Sequence, residues 1–390
     1  MAFSGHAVYK SGFLSDIAED VSRQVSMISP YETPFLDLVG DAMEPAKSVV
    51  HDWLEDSLAP NRLSVVANVA SATTDTALGV GTGLGAYLQA GMILRGPEAA
   101  GAEYMQIISI AGPNTITVSR AFAGTTANSF ASTQFLMVIS DAATDGADVT
   151  VDVSKARPRN TNYTHIFKKD VIISGTSQAV RLHGIDSELD HQITQRLREA
   201  MRDLEKAVIL SRLSGNTIGS GNAVRTMKGL LQAITTNVTT YTTTTGSATA
   251  QFEQDLLNSI ETAWQNGGTD LDLMVCGSQL KRQIDQLNAS RIRVVNVDNR
   301  FGNNIYEFEC TYGVYRIMLN RWMPGNYAAI IASKRIAIAP LQGRSFAYIP
   351  VAKTGDSEKG MVIGEYTAEY RNEEGMALAK FSNLGQLLTP

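Results

Sequence analysis

The period of the apolar positions changes along the chain, and those changes mark its zones. From Gly184 to Ser214 there is no proline and no internal glycine. Ile185, Leu189, Ile193, Leu197, Met201, Leu204 and Val208 recur there at steps of three or four. That spacing predicts one long helix with an apolar stripe. Asp186, Glu188 and Asp190 near its start and Arg212 near its end suit the helix dipole, and Gly215 reads as its stop. Such a helix would be roughly 45 Å long and would span the molecule.

Before this helix the period is two. Tyr104–Ile110 and Thr115–Phe122 flank Pro113 and Asn114, which reads as a β-hairpin, and Phe135–Ile139 reads as a further strand. Residues 60–145 therefore read as a small all-β domain inserted into a loop of the parent fold. On either side of it, Ser48–Leu58 and Val151–Val180 read as the outgoing and returning limbs of one long hairpin. The first residues, up to about 45, carry Pro30, Pro34 and Pro45, which break any long helix. Ile28–Gly40 reads as an extended lead into a single helical turn, in an arm that lies across something else.

After the long helix the pattern is mixed. Thr235–Thr245 reads as a surface loop or edge strand. Phe252, Leu256, Ile260 and Trp264 mark a helix that Gly267 and Gly268 end. Leu271–Cys276 reads as a buried strand, and Ser278 caps the helix that follows. The runs YGVYRIMLN, YAAIIA, RIAIAPL and MVIGEYTAEYR all read as strands.

Composition narrows the function. The chain has 390 residues, 18% of them charged and 44% apolar, with a net charge of -6. It can bury a large core, and it lacks the basic surplus of a duplex-binding protein. Two cysteines make no disulfide framework. No run of about 20 apolar residues spans a bilayer, and the N-terminus does not read as a signal peptide. We therefore expect synthesis in a cytoplasm, no membrane partner and two free thiols.

Motifs for chemistry fail on inspection. The cluster Gly79–Gly85 is followed by Ala86, so GxGxxG is not met and a flexible β-connection is the better reading. His6, His51, His165, His183 and His191 include no pair at metal-ligand spacing. Cys276 ends an apolar strand with no local histidine and reads as a structural thiol. Asp52, Glu55 and Asp56 read as solvated or interfacial charges rather than a hydrolytic pair. No cofactor is implied. The cations Lys155, Arg157, Arg159, Lys168 and Lys169 read as a subunit contact that meets acidic neighbours.

Three stretches carry a family resemblance. They are SPYETPFLDLVGDA with HDWLEDSL (Ser29–Leu58), VIISGTSQAV with the helix containing RDLEKAVIL (Val171–Leu210), and NRWMP with AKTGDSEKGMVIGEYTAEYRNEEG (Asn320–Gly375). Together they resemble the major capsid proteins of tailed bacteriophages, of the Hong Kong 97-like fold. The resemblance covers nearly the whole chain outside residues 60–145.

The fold class so implied is α+β. It implies an N-terminal arm (1–45), extended-loop limbs (46–59 and 146–180), and the inserted all-β domain (60–145). It also implies a peripheral domain (181–219 and 331–390) built on a spine helix (184–214), and an axial domain (220–330). The resemblance implies a structural, non-enzymatic subunit of an icosahedral phage head. Its copies would associate as hexamers and pentamers in a virion capsid, assembled in the host cytoplasm. A portal, scaffolding or cement proteins, and packaged DNA held non-specifically would be its other partners. The start at Met1 close to the arm implies a separate scaffolding protein or none. Candidate assembly contacts are Tyr31, Trp53, Arg157, Arg159, Lys168, Lys169, Lys353, Asp356, Glu358, Lys359, Glu365 and Arg371. An encapsulin-type nanocompartment shares the fold and is the alternative. A soluble β-rich carbohydrate-binding or hydrolytic protein is a remote one, since neither aromatic clusters nor paired carboxylates support it.

Overall fold

In the computed structural model the chain divides into two units, Met1–Trp53 with Thr161–Pro390, and Leu54–Asn160. The structure describes residues 32–40, 44–70, 73–74, 76–97, 102–132, 134–143, 145–146, 148, 153–179, 187–214, 224–242, 248–286, 307–353 and 355–382.

In chain order the first unit opens with α1 (Pro34–Val39), whose proline sits at the helix start, where no N–H is needed. β1 (Val50–Leu54) then leads out. The second unit supplies β2 (Arg62–Ser64), β3 (Ala77–Gly79), β4 (Met92–Arg95), β5 (Tyr104–Gly112), β6 (Thr115–Ser119) and β7 (Phe135–Asp141). The chain returns along β8 (Arg159–Tyr163) into β9 (His165–Ser174), α2 (Gly175–Ala179) and α3 (Glu188–Leu210). Next come α4 (Leu230–Ala233), β10 (Val238–Thr242), α5 (Ala248–Gln265), β11 (Leu273–Cys276) and α6 (Ser278–Gln286). The remaining strands are β12 (Glu307–Cys310), β13 (Gly313–Leu319), β14 (Tyr327–Ile331), β15 (Ile336–Pro340), β16 (Ala347–Val351), β17 (Ser357–Tyr370) and β18 (Ala377–Ser382).

One sheet of the first unit has the order β10-β18-β14-β11-β13-β12. Its central strands are buried on both faces, which is why they read as unbroken apolar runs. Met274 and Cys276 of β11 pack with Phe252, Leu256 and Ile260 of α5 and with Leu280 and Ile284 of α6. Leu273 and Val275 face the other way, into a core shared with Phe35 of α1 and Leu204 and Val208 of α3. Gly277, at the turn after β11, touches the chain beyond β13 so closely that an added Cβ would lie 2.1 Å from the Pro324 carbonyl oxygen.

The second sheet of this unit is built on the long β17. β9 pairs with Ser357–Tyr366 on one side. β16 and β15 pair with successive parts of β17 on the other. A two-stranded ribbon, β1 with β8, marks where the chain leaves the unit and returns.

The second unit is all-β among its described residues. Its six strands have the order β2-β7-β4-β5-β6-β3, with the expected hairpin at β5 and β6. One face carries the core, which includes Leu63, Leu78, Leu94, Met105, Ile116 and Leu136. The glycine cluster is a packed connection rather than a flexible one. Gly85 lies against the backbone of Gly112 and Pro113, where any Cβ would collide.

Several expectations change. Among the described residues the limbs form a ladder only over β1 and β8, with single backbone bonds at either end of it. The next ten residues, read as part of the same hairpin, pair instead with β17. Their alternate residues Phe167, Val171 and Ile173 need a buried sheet face, and β17 supplies it. β18 was expected in the peripheral sheet, yet it lies between β10 and β14. Its residues Ala377–Ala379 and Phe381 are buried whichever face they point to, so a central position satisfies them. α3 has 23 residues, about 34 Å, rather than the roughly 45 Å expected. Ser187 caps it by accepting from the Asp190 N–H at 3.3 Å. Ile185, His183, Gly215, His6 and the arm up to Tyr31 lie outside the described residues.

Candidate assembly surfaces

The root of the ribbon is a polar cluster on β17. Glu365 is buried at 2% exposure. Its carboxylate accepts from the Thr164 hydroxyl at 2.5 Å and pairs with Arg225 at 3.1 Å and Arg344 at 2.9 Å. Four residues on, Glu369 bonds His51 of β1 with one oxygen and accepts from Arg371 Nε at 2.8 Å with the other. The His51 bond, helped by Arg371 and against the cost of burial, holds the Glu369 carboxyl below the usual carboxylate range. Asn162, fully buried on β8, donates to the Ala368 carbonyl at 2.6 Å and accepts from the Lys228 N–H at 2.7 Å. Asn162, Thr164 and His51 therefore tie the root of the ribbon to β17 and to the backbone at Lys228.

A second polar clasp holds α1. Glu205 of α3 is fully buried and accepts from the N–H groups of Phe35 at 3.0 Å and Leu36 at 2.9 Å. The Asn320 amide donates to it at 2.5 Å. Burial pushes the Glu205 pKa up, even though these three donors pull it down. Nearby, the Trp322 indole donates to the Glu32 carbonyl at 3.4 Å, and Lys206 Nζ stands 4.4 Å from the Trp322 ring centre.

The candidate contacts sort themselves against this geometry. Glu365 is a correction. It cannot reach a neighbour, because two arginines and a threonine of its own chain enclose it. Arg371 and Glu369 form a pair at the ribbon root, with the arginine more than half exposed. Asp356 accepts the Gly175 N–H through its carbonyl at 3.1 Å, and Glu358 accepts from Gln178 at 2.5 Å. Those two residues lock α2 onto the start of β17. Lys169 pairs with Asp203 of α3 at 2.6 Å, and Lys168 with Asp170 at 3.2 Å. Arg157 pairs with Asp56 at 3.1 Å. Trp53 is buried on β1, Arg159 is exposed at the start of β8, and Lys353 is exposed just past β16. Lys359 is half-buried on β17, and Tyr31 lies outside the described residues. The sequence reading missed His51, Asn162, Thr164, Glu205, Asn320, Arg225 and Arg344. Only a polar residue inside an apolar stripe, as Glu205 is between Leu204 and Val208, could have signalled one of them.

These surfaces also leave apolar residues exposed. Leu58 beside the ribbon is 92% exposed and Ile172 on β9 is 66% exposed. Midway along the α3 stripe Leu197 and Met201 are also exposed, while Leu189 and Ile193 are half-buried and Leu204 and Val208 are buried. Burial raises the Cys276 thiol pKa to about 12, far from a thiolate nucleophile. Asp52 accepts from Thr161 at 2.7 Å, within the ribbon. Among the described residues no three His, Cys, Asp or Glu side chains come together as a metal site would need. Among the same residues, no helix is long and apolar enough to cross a membrane.

The sequence model of a family described as SU10 major capsid protein matches residues 4–383. The chain belongs to that family. It is a major capsid protein of a phage head shell, and its role is structural. No curated protein matches it. Among solved structures, the capsid of an empty GTA particle is similar with a TM-score of 0.54 and 10% identity, over 98% of this chain and 100% of that one. A structure from Mycobacterium phage Ogopogo gives 0.53 and 9%, over 96% and 100%. One from Gordonia phage Cozz gives 0.51 and 11%, over 98% and 96%. At such identities the likeness is one of fold. The capsid subunit's exposed apolar residues now have a reason, since a shell protein gives part of its surface to its own copies.

Proposed function

We propose that the capsid subunit closes into an icosahedral shell of hexamers and pentamers that encloses double-stranded DNA, and that it is assembled in the host cytoplasm. The observation that carries this reading is the exposed apolar surface on the ribbon at Leu54, on β9 at Ile166 and Ile172, and on α3 at Leu197 and Met201. These elements are fixed to the unit by buried polar clasps, so their open faces are presented in a set geometry. A contact of millimolar affinity is worth about 4 kcal/mol, and several such contacts per subunit act together in a closed shell. In the Hong Kong 97-like plan the β1–β8 ribbon serves as the root of the extended loop, α3 as the spine helix, and Leu54–Asn160 as an added outer domain that a cement protein can use. Lys353, Lys359, Arg159 and Arg157 stand as candidate rim contacts. The net charge of -6 keeps an inner wall from binding packaged DNA tightly. A portal and any scaffolding protein complete the list of partners.

Negative-stain electron microscopy of the purified chain tests this reading. Shells or capsomers are the expected result. A species that stays strictly monomeric at high concentration sinks it.

A further inference from the structure

Among the described residues β9 is an edge strand. Tyr366 of β17 sits opposite His165 on one side and Pro340 on the other, so β15 and β16 occupy the side of β17 away from β9. Among the described residues no strand pairs with the outer edge of β9. Among the described residues none of Ile166 to Ile173 makes a backbone hydrogen bond outside the ladder with β17. A bare edge ten residues long is a template for another strand, and folded proteins either blunt such an edge or use it. A groove of about 470 Å³ runs beside it, between His165–Lys169 and the Asp203–Ser211 part of α3. It leaves room for incoming backbone.

The side chains on the strand name the partner. Phe167, Val171 and Ile173 point into the core, while Ile166, Lys168, Asp170 and Ile172 are exposed together on the other face. Read in either direction about Lys169, that exposed row is apolar, charged, charged, apolar, with the two charges opposite in sign. We propose that β9 pairs antiparallel with β9 of a second copy, about a two-fold axis through Lys169. Lys168 of each copy then faces Asp170 of the other, and Ile166 faces Ile172. Opposite charges and aliphatic pairs directly across an antiparallel ladder stabilise it. Centring the axis on Lys168 or on Asp170 instead places like charges face to face, so the charges select one register. The two Lys169 side chains meet on the opposite face, where each is already paired with Asp203 of its own chain. The contact is isologous, as a two-fold contact must be, and a closed shell supplies such axes. The inference rests on the shell reading in that respect.

The test uses the full chain with Ile166→Cys and Ile172→Cys together. Within one chain these positions are about 20 Å apart along the strand, beyond disulfide reach, so any bond joins two chains. Oxidised samples are run on a non-reducing gel beside both single variants and the parent. The expected result is a reducible dimer for the double variant alone. In a second arm, Lys168→Asp and Asp170→Lys are prepared separately, with circular dichroism checking that each is folded. Each alone sets like charges across the axis and should lower shell yield about tenfold or more. Mixing the two restores opposite charges across the axis, while the charges within each chain stay alike, so recovery on mixing reads only the contact between copies. Shells that form without the dimer overturn the pairing and leave the shell reading standing. Dimers without shells support the pairing and sink the shell reading, and folded protein that gives neither overturns both. Charge variants that assemble as well as the parent also overturn it, because Lys168 and Asp170 would then only guard the edge.

Discussion

Arg120 and Glu103 are the deepest charges in the Leu54–Asn160 unit, and both side chains of the pair are fully buried. The guanidinium donates to Glu103 at 2.8 and 2.7 Å and to the carbonyls of Ala70 and Asn128. The carboxylate also accepts the N–H groups of Ala121 and Asn128. Burial pushes the Glu103 pKa up, but these donors outweigh it and hold the group below its ordinary value. The pair also fixes the turn at Ala121 and Ala123, whose φ of 54° and 56° alanine rarely adopts. Arg120→Ala strands the carboxylate in a dry site. It should cost about 3–5 kcal/mol in that unit, read by urea unfolding. The alternation puts Arg120 in step with the buried Ile116 and Val118, but nothing in that pattern named Glu103 as its partner.

At the scale of elements, the clasps decide which secondary structures move together. Glu205 joins α1 to α3 by serving as the acceptor for two N–H groups at the start of α1. Glu205→Ala leaves those groups buried without a partner, at about 1–3 kcal/mol. Amides of Phe35–Val39 should then exchange hydrogen faster, while those of β11 and β14 stay protected. Equal acceleration in both places would mean that the clasp serves the whole unit rather than α1. Sequence period made α3, α5, β11, β14 and β17 legible, since each buries a face that the pattern shows. It could not pair them. β9 and β18 both went to the wrong neighbour, because a strand's own residues state how many of its faces are buried but not which strand buries them.

At the scale of the whole molecule, pH should report the buried carboxylates. Glu103, Glu369, Glu373 and Asp270 all have folded values below their ordinary ones. Each adds stability that is present above its unfolded value and is lost as the pH falls through the folded one. Glu205 has the opposite sign, and its contribution is present below its unfolded value of 4.5 and lost as the pH rises through its raised one. Four groups against one predict falling stability as the pH drops below about 4.5. A urea midpoint that rose on acidification through this range would contradict it.

The sequence by itself determined the long amphipathic helix, the hairpin of β5 and β6, and the family, because each rests on local period or on a contiguous string such as AKTGDSEKGMVIGEYTAEYRNEEG. Only the tertiary structure decided that Glu365 is enclosed, that β9 has no strand on its outer edge among the described residues, and that Asn162, Thr164 and His51 hold the root of the ribbon. The reason is physical. Burial of a charge and the vacancy of a strand edge depend on residues more than a hundred positions away, and no period within the chain records them.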